Sequence, residues 1–317
     1  MKVLVTGGAG FIGSHMTERL VRDGHSVTVL DDLSTGRLTN LRQVATDVEF
    51  LEGDVADARA VDRAVAGCDA VMHLAAVASV QASVEDPLRT HRTNLTGSVQ
   101  VFEAAARSGV ERVVYASSAA VYGEASELPI REEAPKRPMS PYAVDKLAGE
   151  YYLAHYQRSG SFAATAFRFF NVYGPRQDPS SPYSGVISIF LDRASREEAV
   201  TVFGDGSQTR DYVYVADLVD ILTAALTGPV ADARPGIDSA PSPINLASGR
   251  SVDLLELLGA VTEAAGLEEP LPVTFAPGRR GDIRRSEADV SLLRATFRAV
   301  PATPLSVGLA HTFQWLV

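Results

Sequence analysis

The sequence is poor in several features that mark other classes of protein. Cys68 is the single cysteine among 317 residues, which excludes an intramolecular disulfide framework and fits a reducing compartment. No stretch approaches the roughly 18 apolar residues that span a membrane, and the N-terminus lacks the apolar run of a secretion signal. We therefore expect a cytoplasmic protein that has no membrane partner.

Basic residues are also in short supply. The chain has 29 Lys and Arg against 39 Asp and Glu, which gives a formal net charge of -10. Recognition of nucleic acid normally needs a basic surface, so this balance argues against a nucleic-acid partner. An anionic small molecule would have to be bound by local cations. We expect no metal site.

The residues that are present favour a globular α/β protein. The chain is 46% hydrophobic and 21% charged, which suits a large core. Short β-branched runs alternate with amphipathic helical patterns through the first half, an order typical of a doubly wound parallel sheet. The predicted strands are residues 2–6, 26–30, 48–51, 70–73, 112–115 and 164–169.

The alternation weakens after about residue 172, where proline and glycine become frequent. Residues 172–317 mix short strands with helices, which predicts a smaller, mixed α/β C-terminal lobe. Residues 1–171 form the predicted first domain, to which segments near residues 211–250 could return.

A glycine-rich turn joins the first predicted strand to the first predicted helix. It reads Thr-Gly-Gly-Ala-Gly-Phe-Ile-Gly over residues 6–13. Glycines permit the tight turn and let backbone N–H groups approach a pyrophosphate, while the helix N-terminus attracts the anion. The first domain is therefore predicted to be a Rossmann-type dinucleotide-binding domain. Its phosphate-binding residues are Gly7, Gly10, Phe11, Ile12 and Gly13.

Acidic residues follow the second and third predicted strands. Asp31 stands near the spacing of about 20 residues at which a carboxylate meets the adenosine ribose hydroxyls. Asp31 and Asp32 together would repel a 2′-phosphate and favour NAD over NADP, although Arg37 could reverse this preference. Asp54, with Val55 beside it, stands where the adenine could be recognised. For Asp31 and Asp54 the alternative is a turn carboxylate that meets no ligand.

Tyr142 and Lys146 are separated by one helical turn and would share a helix face. A phenol has an ordinary pKa near ~10, and a neighbouring ammonium favours its ionised form. The pair would then supply a general base beside a dinucleotide. Its alternative is an exposed helix face without chemistry.

Several ordered motifs cover essentially the whole chain. They are TGGAGFIGSH at the start, HLAA at 73–76, YASSAAVYG at 115–123, SPYAVDK at 140–146, RFFNVYGPRQDP at 168–179, GDGSQTRDYVYVADL at 204–218 and RRGDIRRSEAD at 279–289. In these motifs the chain resembles the extended short-chain dehydrogenase/reductases, and among them the nucleotide-sugar 4-epimerases typified by UDP-galactose 4-epimerase. The resemblance implies NAD as cofactor and Ser118, Tyr142 and Lys146 as the catalytic trio. The further cofactor contacts that it implies are Val55, Leu74, Ala75, Ala76 and Asn94.

The trio implied by the resemblance suits reversible oxidation at C4 of a sugar. Tyr142 would take the proton of the C4 hydroxyl while a hydride leaves C4, and return of the hydride to the other face of the 4-ketose would invert C4. Ala119 and Ala120 follow Ser118, where related 4,6-dehydratases carry an Asp-Glu pair, so an epimerase is favoured over a dehydratase. A one-way 4-dehydrogenase or a dehydratase of a nucleotide sugar is the alternative within the enzyme class. A non-catalytic NAD-binding sensor is the remote alternative.

The resemblance also implies a UDP-sugar site. Its implied contacts are Ser117, Ser118, Asn171, Arg210, Arg279 and Asp282. Ser286 falls where members restricted to glucose and galactose carry a bulky tyrosine, so its small side chain leaves room for a larger group at C2. The pairs UDP-glucose/galactose, UDP-glucuronate/galacturonate and UDP-GlcNAc/GalNAc stay open, and so does UDP against dTDP. The habit of the family is a homodimer, here through the helix at 95–106 and the helix that carries Tyr142.

Overall fold

A computed structural model describes residues 1–179, 185–228, 243–278 and 283–317 of the chain. These residues form two compact units, each with its own hydrophobic core. The first unit comprises Met1–Val121, Pro138–Arg168 and Val219–Ile244, and the second comprises Tyr122–Arg137, Phe169–Leu218 and Asn245–Val317.

Strands and helices alternate through most of the chain. The strands are β1 (Lys2–Thr6), β2 (Ser26–Asp31), β3 (Val48–Glu52), β4 (Ala70–His73), β5 (Arg112–Ser118), β6 (Ala163–Phe169), β7 (Asn171–Tyr173), β8 (Val200–Phe203), β9 (Thr209–Tyr214), β10 (Ile244–Leu246), β11 (Ser251–Asp253) and β12 (Val273–Ala276). The α-helices are α1 (Phe11–Arg22), α2 (Ala58–Val65), α3 (Val80–Glu85), α4 (Pro87–His91), α5 (Ser98–Arg107), α6 (Pro141–Arg158), α7 (Val186–Ala194), α8 (Val215–Thr227), α9 (Leu254–Ala264), α10 (Ser291–Phe297) and α11 (Leu305–Leu316).

The main sheet has seven strands in the order β10-β6-β5-β4-β1-β2-β3. From β3 to β5 neighbouring strands pair in parallel, and Val3 of β1 lies opposite both Val27 of β2 and Ala70 of β4. Strands β1, β4 and β5 are buried over nearly their whole length, as expected where helices cover a parallel sheet. The predicted doubly wound α/β fold is confirmed, and all six predicted strands are present.

A π-helical turn, Arg92–Gly97, precedes α5. The sequence predicted a regular helix over residues 95–106, whereas the α-helix begins only at Ser98. The side chain of Asn94 explains the difference: its Oδ1 accepts a hydrogen bond of 2.8 Å from the N–H of Val77, and its Nδ2 donates one of 3.1 Å to the carbonyl of Val77. Turning Asn94 toward this loop widens the helix locally.

The second unit contains two small sheets. In the sheet β11-β9-β7, β9 runs antiparallel to β11 and parallel to β7, while β12 pairs with β8 in parallel. Side chains of α7, α9 and α11 share one hydrophobic cluster with β8 and β9. The unit is mixed α/β as expected, but it also includes Tyr122–Arg137, which the sequence prediction had placed in the first domain, and Val219–Ile244 belongs to the first unit. No helix in the described parts of the chain is both long and apolar enough to cross a bilayer.

Candidate active site

The glycine turn is shaped by close approaches of the backbone that leave no space for side chains. A Cβ at Gly13 would lie 2.0 Å from the carbonyl oxygen of Gly7, and Gly7 itself has a φ of +70°. Gly10 is the N-cap of α1, and no side chain caps this helix. The first N–H groups of α1, at Phe11 and Ile12, therefore remain available to an anion. All five predicted phosphate-binding residues lie in this turn.

Asp31 and Asp32 have different environments at the end of β2. Asp31 is buried against the turn: its Oδ2 accepts a hydrogen bond of 2.9 Å from the N–H of Ala9, and its Oδ1 accepts one of 2.9 Å from the N–H of Leu33. Burial raises the pKa of the Asp31 carboxyl above its ordinary value. Asp32 is exposed and accepts hydrogen bonds from the backbone and hydroxyl of Ser34 at 3.0 and 2.6 Å. Asp31 has the position of a ribose-binding carboxylate, and Asp32 closes a turn.

Asp54 and Val55 follow β3 as the sequence indicated. Oδ1 of Asp54 accepts a hydrogen bond of 2.8 Å from the N–H of Ala56, and its Oδ2 lies 3.4 Å from the Nη2 of Arg92. Val55 is buried, and a Cβ at Gly97 would approach it to 2.7 Å. These contacts explain the local fold of the segment, and an adenine contact of Asp54 and Val55 stays a prediction.

Thr6 and His73, which the motifs did not mark as functional, organise the loop after β4. The Oγ1 of Thr6 accepts hydrogen bonds from the N–H groups of Leu74 and Ala75, each at 3.2 Å, and lies 2.7 Å from the Nδ1 of His73. The Nε2 of His73 lies 2.9 Å from the Oγ of Ser98. Burial lowers the pKa of His73 to about 3, so the ring is neutral. The sequence signal for this role is the histidine that opens HLAA.

Helix α6 presents the predicted general base. Ser140 is its N-cap and accepts a hydrogen bond of 3.2 Å from the N–H of Ala143, and Pro141 occupies the first turn. This start places Tyr142 and Lys146 one turn apart. Their side chains are only 9% and 3% exposed, so the exposed-face alternative is wrong.

The catalytic trio is assembled within the first unit. The Nζ of Lys146 donates a hydrogen bond of 2.7 Å to the carbonyl oxygen of Ala116 and lies 5.9 Å from the centroid of the Tyr142 ring. Ser118, the last residue of β5, interacts with the Tyr142 phenol and lowers its pKa, and the Ser118 Oγ accepts a hydrogen bond of 3.2 Å from the N–H of Ala120. Side chains 24 or more residues apart in sequence thus meet at one strand end.

The predicted depression of the Tyr142 pKa is wrong for this chain. Burial raises the pKa of the phenol, and the hydrogen bond with Ser118 opposes that change only in part. Burial also lowers the pKa of Lys146 to about 8, against the opposing field of the Asp145 carboxylate. Desolvation disfavours the charged form of both groups, which sequence spacing does not reveal.

Ser117 does not have the position of a substrate contact. It is 2% exposed, and its Oγ donates a hydrogen bond of 2.5 Å to the Oε1 of Glu150. A buried hydroxyl bound to a carboxylate has a supporting role instead. Glu150 was missed by the sequence reasoning, although it follows Lys146 by four residues and so lies on the same helix face.

Asn171 and Arg210, both predicted to bind the sugar nucleotide, belong to the second unit. Asn171 begins β7, opposite Tyr212 of β9. The Nη1 of Arg210 donates hydrogen bonds to the carbonyls of Thr209 and Ile283, at 2.9 and 2.6 Å. The same unit therefore contains a strand-end amide and a guanidinium whose direction is fixed by backbone carbonyls.

The segment that carries Ser286 is bound by a buried carboxylate of the same unit, that of Asp211. Asp211 accepts hydrogen bonds from the N–H groups of Ser248, Gly249 and Ala288, at 2.8, 3.0 and 3.3 Å. It thereby ties the turn after β10 to the segment that carries Ser286, which is itself buried. Two further predicted contacts lie outside the described residues, namely Arg279 and Asp282.

Comparison with known proteins identifies the family. The model of the "NAD dependent epimerase/dehydratase family" matches residues 3–238. The chain belongs to this family. Among its relatives, the UDP-glucose 4-epimerase of Mycolicibacterium smegmatis is 39% identical over 320 residues, which cover 99% of this chain and 98% of the relative.

Solved structures of family members share the fold at nearly full length. The UDP-glucose 4-epimerase of Thermotoga maritima, solved with UDP-glucose, has a TM-score of 0.91 and 35% identity and covers 100% of this chain and 98% of its own. The UDP-N-acetylglucosamine 4-epimerase of Methanobrevibacter ruminantium M1, in complex with UDP-N-acetylmuramic acid, has a TM-score of 0.90 and 34% identity, with 99% and 97% covered. The predicted resemblance to nucleotide-sugar 4-epimerases is confirmed.

NAD is the cofactor of the family, and the glycine cradle fits it. A Cβ at Gly13 would collide with the carbonyl oxygen of Gly7, so no side chain covers the backbone of this turn, and Asp31 adjoins the same turn. Gly7, Gly10 and Gly13 would hold the pyrophosphate and Asp31 the ribose.

The residues after Ser118 distinguish the two reactions in the family's name. Ala119 and Ala120 begin a 3-10 turn, Ala119–Tyr122, directly after β5. Their methyl groups transfer no protons, whereas elimination of water needs an acid and a base in addition to the oxidising trio. The chain therefore has the epimerase pattern at this point.

Proposed function

We infer that the protein is a UDP-sugar 4-epimerase that acts with bound NAD. The observation that carries this inference is the assembled trio of Ser118, Tyr142 and Lys146, with Ala119 and Ala120 in place of an additional acid and base. A non-catalytic sensor would need the glycine turn but not a buried tyrosine and lysine placed beside the serine that ends β5.

The trio accounts for proton movement at C4. Bound NAD supplies the acceptor and donor of a hydride. Tyr142 would take the proton of the C4 hydroxyl, and Ser118, which interacts with the phenol, would stabilise the same oxygen. Lys146 would hold the nicotinamide ribose. Because the pKa of Lys146 is about 8, it carries its charge at neutral pH. Tyr142 would give the proton back to the C4 oxygen when the 4-ketose is reduced on its opposite face, and this inverts C4.

The sugar nucleotide is assigned to side chains of the second unit. Asn171 and Arg210 are proposed to bind the diphosphate, since a guanidinium fork suits phosphate oxygens. Arg279 and Asp282 are proposed, from the sequence motif alone, to bind a phosphate and the uridine ribose. Ser286 is proposed to border the sugar, where its small side chain admits an N-acetyl group at C2 as well as a hydroxyl.

We also propose that the active form is a homodimer. Val144, Tyr151 and Tyr152 of α6 are large side chains that are 50%, 67% and 45% exposed. A second copy that covers this face would remove their apolar surface from water. Light scattering at micromolar concentration should give a molar mass twice that of the chain. The Tyr151→Glu variant should have the mass of a single chain. A monomeric wild-type protein would refute the proposal.

A substrate panel tests the reaction. Purified protein with NAD is incubated separately with UDP- and dTDP-linked glucose, galactose, glucuronate and N-acetylglucosamine, and the products are separated by chromatography. We expect interconversion of at least one UDP-sugar and its C4 epimer, without net release of NADH. Accumulation of a 4-keto-6-deoxy sugar would instead identify a dehydratase, and stoichiometric NADH would identify a dehydrogenase.

A further inference from the structure

One face of α6 is aligned with the end of β5. Tyr142, Lys146 and Glu150 follow one another at intervals of four residues and so share that face. Tyr142 lies beside Ser118, which lowers its pKa, and the Nζ of Lys146 donates to the carbonyl of Ala116 at 2.7 Å. Glu150 makes the third contact of the series, with the strand residue between these two.

The carboxylate of Glu150 is held by three donors. The Oγ of Ser117 donates to its Oε1 at 2.5 Å, the Nε of Arg168 donates to the same oxygen at 2.9 Å, and the Nη2 of Arg168 donates to Oε2 at 2.7 Å. All three side chains are buried, and Arg168 belongs to β6, the neighbour of β5 in the sheet. A bidentate fork fixes both the position and the plane of a carboxylate.

We propose that the ion pair of Glu150 and Arg168 is a positioning device that fixes the height and rotation of α6 against β5 and thereby sets the contact between Tyr142 and Ser118. Glu150 binds Arg168 and Ser117 within the core, and the pair would act through these contacts, so both members are positioning residues. The reaction they serve is the one proposed above, and the inference rests on that function for its catalytic consequence.

Stability alone does not account for an ion pair at this location. Two charges lose their hydration when they are buried, and apolar side chains of similar volume often stabilise a fold as well or better. An apolar pair, however, has no preferred direction and would let α6 slide or turn slightly. Proton transfer between positioned groups tolerates little such movement. The charges therefore supply geometry that apolar packing lacks.

A double substitution separates geometry from stability. Glu150→Leu combined with Arg168→Met removes both charges together and leaves no unpaired buried ion. We expect the holoenzyme to keep its thermal midpoint within a few degrees and its KM within about twofold, while kcat falls by about tenfold to a hundredfold, the scale of a misplaced catalytic group. Arg168→Lys, which keeps the charge but loses the fork, should give an intermediate loss.

Arg112 provides a matched control at the opposite end of β5. It is also a buried arginine, whose Nη1 donates a hydrogen bond of 2.7 Å to the carbonyl of Ala225. Arg112→Met should leave kcat unchanged. A folded double variant with the kcat of the wild type would overturn the proposal. If the double variant does not fold, the Ser117→Ala variant tests the proposal instead, because it removes only one donor to Glu150. We expect a several-fold loss of kcat at an unchanged thermal midpoint. An unchanged kcat would overturn the inference.

A second readout does not depend on the sugar. Ionisation of Tyr142 in the holoenzyme is measured by ultraviolet absorbance as pH is varied. For each protein, the absorbance of the matching Tyr142→Phe variant is subtracted. Since the bond with Ser118 favours the phenolate, loss of that bond in the double variant should move the titration to higher pH. If the wild type converts no sugar, the proposed function is refuted. The positioning role is tested separately: it is refuted if the Tyr142 titration curve of the double variant equals that of the wild type.

Discussion

The Nδ1 of His91 lies 2.8 Å from one carboxylate oxygen of Asp145, and the other oxygen of Asp145 is buried without a hydrogen-bond partner among the described residues. Asp145 immediately precedes Lys146 on α6, and its negative charge raises the pKa of the ammonium against the larger effect of burial. A partly satisfied carboxylate therefore helps to keep the catalytic lysine charged.

Asp145→Asn should move the alkaline limb of the kcat/KM profile to lower pH. The ammonium of Lys146, with a pKa of about 8, is present below that pH and is lost above it. Removing the neighbouring negative charge favours the neutral amine, so the loss begins at lower pH. The profile is measured from pH 6 to 10. The His91→Gln variant, which keeps the Asp145 carboxylate, serves as the control. Alkaline limbs that coincide for Asp145→Asn and the wild type would contradict the prediction.

Tyr142→Phe should lower kcat by ~100-fold or more, the scale of losing a general acid or base. The ring stays in place, so the thermal midpoint and the NAD content should match those of the wild type. Tyr151→Phe is the matched control, because Tyr151 is on the same helix with 67% of its side chain exposed. A Tyr142→Phe protein that retains a tenth of the rate would remove this phenol from the chemistry.

Gly13→Ala should reduce both stability and NAD retention. The added Cβ would lie 2.0 Å from the carbonyl oxygen of Gly7, and such overpacking typically costs ~1–3 kcal/mol. Unfolding in urea and the NAD content of purified protein measure the two effects. Gly259→Ala in α9, where a Cβ meets nothing within 4 Å, should instead stabilise the fold by up to ~1 kcal/mol. Normal NAD content in Gly13→Ala would refute a role for this cradle.

His73 should make stability fall in acid. Burial lowers its pKa from 6.5 to about 3 in the folded chain, so between these values the unfolded chain binds a proton that the folded chain does not. The contribution of the neutral ring to the free energy of unfolding is fully present above pH 6.5 and decreases as pH falls toward 3, by up to ~1.4 kcal/mol per pH unit.

His73→Gln should therefore be less stable at pH 7.5 but show a flatter dependence between pH 6.5 and 4. Urea unfolding at a series of pH values measures the slopes. His155→Gln is the control, because His155 is exposed on α6 and should leave the slope of the wild type unchanged. If the free energy of unfolding falls equally with pH in His73→Gln and the wild type, the buried ring is not the cause of the loss of stability in acid.

Local patterns were sufficient for much of the fold and the site. Short β-branched runs marked the strands of the main sheet, and Gly13 of the first turn is required by its close approach to Gly7, six residues earlier. The spacing of Tyr142 and Lys146 is likewise a property of one helix. These features depend on neighbours in sequence, so the sequence reveals them.

Features that depend on distant partners were not predictable. Ser117 and Ser118 are adjacent and chemically identical, yet Ser117 meets Glu150, 33 residues away, while Ser118 meets Tyr142. Both partners belong to α6, and which serine meets the carboxylate depends on how this helix packs against β5, which the sequence does not state. The direction of the Tyr142 pKa depends in the same way on burial by the whole unit.

The π-helical turn at Arg92–Gly97 connects Asn94, which faces the loop after β4, to the residues of α5 that face the core. The two sets of side chains point in directions that a regular α-helix would not give them. Each helical residue advances the chain by about 100°, and a π turn holds one residue more than an α turn. Asn94 can therefore point to the loop after β4 while Phe102 and Ala105 point into the core. Deleting a single residue here would rotate one set of side chains away from its partners, so the length of this turn is under as strict a constraint as its chemistry.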